Sequence, residues 1–253
     1  MHTTAAWPAA CDPLVAYFGD AAPLRSRSVS ARVLTGTVDI PAPPARLLAD
    51  WAHDAAAQLA LQPGDVEALP LARARARWPD YRHCVQAAAA WLHAAGLQDV
   101  LAGCDVALMA CRGAHYHHDA NQYAGSAFCN LFVTEDKGLD LHFATCGQRI
   151  ALQRGTLVVF DTAQPHAVID RGGRGFRAID FAPARDCLQV FLTWELPITQ
   201  AAVARAMGTR FDIAPAPAGR QTPMQVLLHG TPARVCPDSG VWLADEEGRH
   251  AQG

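Results

Sequence analysis

Two periodicities divide the chain. Over residues 45–61 the apolar positions Leu47, Leu48, Trp51, Ala55 and Leu59 recur at helical spacing, which predicts an amphipathic helix broken by Pro63-Gly64. A second helix is predicted over residues 80–95, with Tyr81, Val85, Ala88, Trp91 and Leu92 on its apolar side. Trp51 and Trp91 fall on those apolar stripes and read as core packing. Ahead of the helices, residues 27–40 are rich in Val and Thr and read as one or two strands, closed by Pro41, Pro43 and Pro44. From Asp105 the period shortens to two. Strands are predicted over residues 105–119, 126–134, 140–144, 156–161, 166–169, 176–181 and 191–196, joined by Gly, Asp and Pro turns. This cadence predicts a sandwich or jelly roll, mainly β with flanking helices (an α+β chain), rather than alternating α/β units. Helices that precede the strands would buttress one face of the sheet. Residues 197–207 read as a short helix. Residues 1–26 carry no clear pattern.

The chemistry lies inside the strand region. In the run RGAHYHHDANQY, His115, His117 and Asp119 alternate, so an extended chain puts them on one face while His118 points away. His142 alternates away from Leu141 and Phe143 and reads, like His118, as a surface residue. Two imidazoles and one carboxylate can cap one face of a metal ion and leave other positions open, the arrangement of non-haem Fe(II) oxygenases. The third ligand must come from a neighbouring strand, and His166 stands where such a strand begins. His115 can instead be read as a third histidine ligand beside His117 and His166, or as a residue lining the pocket behind the ligands. A cupin-type His-x-His would be followed closely by Glu, and none stands at that spacing.

The ordered set His117-x-Asp119, His166 and Arg177 resembles the Fe(II)/2-oxoglutarate-dependent dioxygenase superfamily. Gly138-Leu139-Asp140-Leu141-His142-Phe143, Gly155-Thr156-Leu157-Val158-Val159-Phe160 and Pro165-His166 are similar to that family's strand motifs. The resemblance covers roughly the central third of the chain. It implies a double-stranded β-helix (jelly-roll) core, with His117, Asp119 and His166 as iron ligands and as the catalytic centre. It implies Fe(II), O2 and 2-oxoglutarate as cofactor and co-substrates, with decarboxylation to succinate and hydroxylation or a related oxidation of the substrate. Arg177 would receive the far carboxylate of 2-oxoglutarate, for which a planar, permanently charged donor fork is suited; Tyr123 and Asn130 are candidates for its near end. The chain departs from the family at Ile179, where relatives often carry a hydroxyl, and at Leu139, which replaces a glycine. The other readings are a three-histidine dioxygenase without 2-oxoglutarate, and a non-catalytic β-sandwich whose histidines hold zinc.

Composition narrows the partners. The 253 residues have a net charge of −3, lysine occurs only at Lys137, and the single basic run is Arg73, Arg75 and Arg77, which reads as a solvated surface segment. No nucleic-acid partner is expected from so narrow a basic face; a small-molecule substrate is favoured, with a protein side chain as the alternative. The eight cysteines form no C-x-x-C pair, and no stretch reads as a signal peptide or membrane span. The expectation is a soluble, cytoplasmic protein. Residues 1–213 are expected to form the dioxygenase domain, with the N-terminal strand and helices at about 27–100 and the jelly-roll core at about 103–196. Residues 214–253 are expected to form a linker (Ala214-Pro215-Ala216-Pro217-Ala218-Gly219) and a β-rich extension with strands at 224–228 and 241–244.

Overall fold

The computed structural model describes residues 14–19, 24–182, 184–215 and 225–244. The chain opens with β1 (Leu14–Phe18), β2 (Arg25–Ser28) and β3 (Val33–Thr37). The predicted first helix is α1 (Ala45–His53), which widens into a π turn over Asp54–Gln58 and buries Leu47, Trp51 and Ala55. A short strand, β4 (Val66–Leu69), then leads to α2 (Leu71–Arg77) and α3 (Tyr81–Ala94), which buries Cys84, Ala88 and Leu92. Both tryptophans pack as their stripes predict. Trp51 meets Trp78 edge to face at 5.6 Å, and Trp91 fills the space that Gly36 leaves open, where a Cβ would stand 2.1 Å from Nε1. The basic run is not simply solvated. It forms α2, and Arg73 and Arg77 pair with Asp54 (2.8 Å) and Asp50 (2.6 Å) to tie that helix to α1.

The remaining elements are β5 (Val106–Cys111), β6 (Ala114–His117), α4 (Ala120–Tyr123), β7 (Ser126–Phe132), β8 (Leu139–Phe143), β9 (Gln148–Ala151), β10 (Thr156–Asp161), β11 (His166–Asp170), β12 (Gln189–Pro197), α5 (Ala201–Met207), β13 (Gln225–Leu228), β14 (Thr231–Val235) and β15 (Trp242–Ala244). One sheet has the order β3-β10-β7-β12-β5-β4 and a second has β6-β11-β8-β9. Along β5 to β12 the chain passes back and forth between these two sheets, and every pairing is antiparallel. That winding is a double-stranded β-helix, and the fold is mainly β with helices against one face.

The larger sheet is buried on both sides. Leu108, Leu131, Leu157, Leu192 and Trp194 face α1 and α3, while Phe132, Val158, Phe160 and Phe191 face the smaller sheet and meet Leu141 and Phe143. In β10 all six residues are buried, so the strand reads as a continuous apolar run. Buried thiols join this packing: Cys84 and Cys111 are each pushed up to about 12 by burial, which leaves them unreactive. No helix among the described residues is long and apolar enough to cross a membrane.

One predicted strand is not there. Residues 176–181 turn into a 3-10 helix over Ala178–Phe181. Phe176 and Phe181 are an odd number of residues apart and would face opposite sides of a strand. The turn instead lets both rings enter one core, stacked at 5.3 Å, and leaves Ile179 74% exposed. The terminal segments also meet. β1 lies between β13 and β2 in a third sheet of order β15-β14-β13-β1-β2, whose inner residues Ala16, Phe18 and Val226 pack on Ala120, Ala124 and Ala163. Residues 216–219 of the expected linker lie outside the described residues.

Arg27 of β2 is fully buried and forms a two-point ion pair with Asp161 at the end of β10 (2.6 and 2.8 Å), while its Nε donates to the Ala124 carbonyl at 2.6 Å. Asp161 also accepts from the backbone N–H of Ser30 and of Ala163. Removing one partner of a pair this deep strands the other charge. Arg27→Met is therefore expected to lower the unfolding free energy by about 3–5 kcal/mol in urea denaturation. Arg25→Met, which breaks the exposed pair with Asp212, should leave it nearly unchanged.

Candidate metal centre

The antiparallel pairing of β6 with β11 sets His117 directly opposite His166, and Asp119 follows β6 as the residue that opens α4. The sequence spacing thus becomes a spatial cluster: one ligand atom from each of His117, Asp119 and His166 lies within 4.8 Å of the others. Asp119 holds Oδ1 3.7 Å from His117 Nε2 and Oδ2 3.5 Å from His166 Nε2, and the two imidazole centroids are 4.4 Å apart.

Backbone carbonyls set the tautomers. His117 Nδ1 donates to the His115 carbonyl at 2.7 Å and His166 Nδ1 to the Gln164 carbonyl at 2.9 Å. With the proton held on Nδ1, each Nε2 presents its lone pair to the shared point, as metal-bound histidines require. Burial, with His117 close by, holds His166 well below the ordinary imidazole value, so it stays neutral. Burial pushes Asp119 above the ordinary carboxylate value, with His117 opposing it. Two imidazoles and a carboxylate facing one point are an electron-rich set that a divalent cation would satisfy. The donor set fits Fe(II), and the partly exposed His117 and Asp119 leave the other side of that point open.

The loops that carry the ligands are tied together. Asp119 N–H donates to the Thr162 carbonyl at 2.7 Å, and the Thr162 hydroxyl is shared between the carbonyls of Tyr123 (2.7 Å) and Ser126 (2.8 Å). Phe160 and Phe143 stand beside His166, with ring centroids at 4.7 and 6.1 Å. They make an apolar wall behind the centre.

The other residues singled out in the sequence divide. Tyr123 lies at the end of α4 against Phe128 (5.0 Å), and its phenol is pushed up by burial and then by the charges of Glu195 and Asp119. Asn130 faces inward on β7, 6% exposed, and its Oδ1 is buried with no hydrogen-bond partner. Arg177 does not join them. It begins the 3-10 turn instead of lying in an apolar strand, and its side chain is 67% exposed with Asp180 at 3.7 Å. His115 is outside the cluster; its ring lies on Phe176 at 4.1 Å, and it touches the centre through its carbonyl alone. His118 and His142, expected at the surface, are half-buried. His118 packs on Trp242 (4.9 Å) and is lowered to about 4 by burial and then by His117, while His142 bonds the Tyr116 hydroxyl. Thr193 and Glu195, absent from the residues singled out above, share the inward face of β12 with Phe191, a placement that period-two alternation from Phe191 signals.

No family model matches the chain, and no curated protein matches it. Among solved structures, a prolyl-4-hydroxylase from Pseudomonas putida is similar at 17% identity, over 65% of this chain and 92% of that one, with a TM-score of 0.36. A viral collagen prolyl hydroxylase from Paramecium Bursaria Chlorella virus-1, in a 2-oxoglutarate complex, is similar at 11% identity over 65% and 94%, TM-score 0.37. The vicilin of hazelnut (Corylus avellana) is similar at 15% identity over 42% of this chain; the match spans only 25% of the vicilin, TM-score 0.24. Likenesses this slight do not bear on the chemistry, which rests on strand order and ligand geometry.

Replacement of a ligand should act on metal uptake before it acts on the fold. Asp119→Ala and His166→Ala are each expected to weaken Co(II) binding, followed by its visible absorption, by more than the about 10–100-fold that loss of an orienting partner alone costs. His115→Ala should retain the metal, because only its carbonyl is used. In the order of its His-x-Asp and His residues, and in the double-stranded β-helix that brings them together, the chain resembles the Fe(II)/2-oxoglutarate-dependent dioxygenase superfamily.

Proposed function

We propose that this chain is a non-haem Fe(II) oxygenase that hydroxylates a small organic substrate using O2, with 2-oxoglutarate as co-substrate. The observation that carries the reading is the convergence of His117, Asp119 and His166 with both Nδ1 protons tied to backbone carbonyls. Bound there, Fe(II) supplies the activation of O2 that no side chain can provide. The chain's own part is to hold the metal from one side, to keep water from its back with Phe143 and Phe160, and to leave the side at His117 and Asp119 open. Tyr123 and Asn130 offer hydrogen-bonding groups for the near end of a keto acid. Arg177, exposed and beside Asp180, does not fit the far carboxylate. That same exposure favours a second reading, an oxygenase of this centre that works without 2-oxoglutarate.

Anaerobic titration with Fe(II) and 2-oxoglutarate tests both. The expected result is the visible iron-to-keto-acid charge-transfer band, lost or shifted in Asp119→Ala and unchanged in Arg177→Ala. Iron uptake with no band favours the co-substrate-independent oxygenase. A protein that takes up no iron overturns the oxygenase reading altogether.

A further inference from the structure

Two polar groups on the inward face of β12, Thr193 and Glu195, have no part in the metal centre, and Asn130 of β7 lies beside them. Its register pairs Thr193 with Asn130 and Glu195 with Phe128 on β7, and β7 in turn pairs Phe128 with Phe160 of β10. Cross-strand partners share a face, and Phe128, Phe160 and Phe191 all pack into the core between the two sheets. Thr193 and Glu195 therefore point into the barrel. Glu195 lies in the row nearest the metal centre, since its cross-strand partner Phe128 is paired in turn with Phe160, which touches His166.

Each of these groups lacks something. Thr193 is 8% exposed, and its Oγ1 is buried with no hydrogen-bond partner, like Oδ1 of Asn130 beside it. Glu195 is half-buried, and burial followed by Asp105, a second carboxylate, raises it; no cation from the described residues offsets its charge. A carboxylate in such a place is costly unless a positive group comes to it. The inner face of β12 thus offers a carboxylate without a cation and a hydroxyl without a partner, and the ligand chemistry that matches is rich in donors. An ammonium group brings three N–H donors and a full positive charge.

We propose that the space between the sheets takes a primary amine as substrate, its ammonium held by Glu195 with Thr193 beside it, so that a carbon near the nitrogen lies before the metal centre. This rests on the oxygenase reading for the oxidation, but not for the binding. Small amines, rather than acids or alcohols, are the class that this wall selects.

Binding can be read without turnover. Saturation-transfer NMR on the metal-free protein would compare n-butylammonium, n-butanol and butyrate, and Co(II)-loaded protein would then show whether the methylene beside the nitrogen is broadened by the metal. Butylammonium is expected to bind best. Glu195→Gln, which keeps the shape and removes the charge, should weaken it by at least about tenfold, and Glu195→Asp should restore part of the loss. Equal binding of butanol or butyrate, or a Glu195→Gln protein that holds butylammonium as well as the parent, overturns the proposal. Amine binding that depends on Glu195 in a protein that takes up no metal would uphold the subsite while the oxygenase reading fails.

Discussion

Everything at the candidate centre depends on one strand pairing. His117 closes β6 and His166 opens β11, and only when those strands lie side by side do two imidazoles and a carboxylate meet. Their lone pairs repel one another until a cation arrives, so the arrangement has to be enforced by the surrounding fold. The two Nδ1 bonds to backbone carbonyls, the Asp119 N–H bond to Thr162 and the phenylalanine wall supply that enforcement. The larger sheet can hold it rigidly because it is packed on both faces, by helices outside and by the smaller sheet within.

Much of this was legible in the residues. Helical spacing located α1 and α3, and alternation across His117 and Asp119 already set two donors on one face. His166 was legible from its strand context. What stayed hidden depended on distance or on burial from both sides. β1 pairs with β13 across the length of the chain, Leu14 against Leu228, and no local pattern announces such a contact. β4, β9 and β14 are four or five residues long, too short for a period to establish itself. Glu195 was obscured because Leu192 and Trp194, on the helix side, make β12 look apolar throughout.

Arg177 shows how a sequence pattern can mislead. Phe176, Ile179 and Phe181 around it look like a buried strand, in which an arginine would need a partner. The chain instead buries the two phenylalanines with one tight turn and turns Ile179 and the guanidinium outward. Asn130, Thr193 and Glu195 are polar groups that do face the interior between the sheets.

The buried Arg27 side chain reaches two places at once: the carbonyl of Ala124, just past the α4 turn that Asp119 opens, and the carboxylate of Asp161, just before the loop to His166. Both ligand-bearing segments are therefore moored to a single post. Loss of that one side chain would release the segments of Asp119 and His166 together.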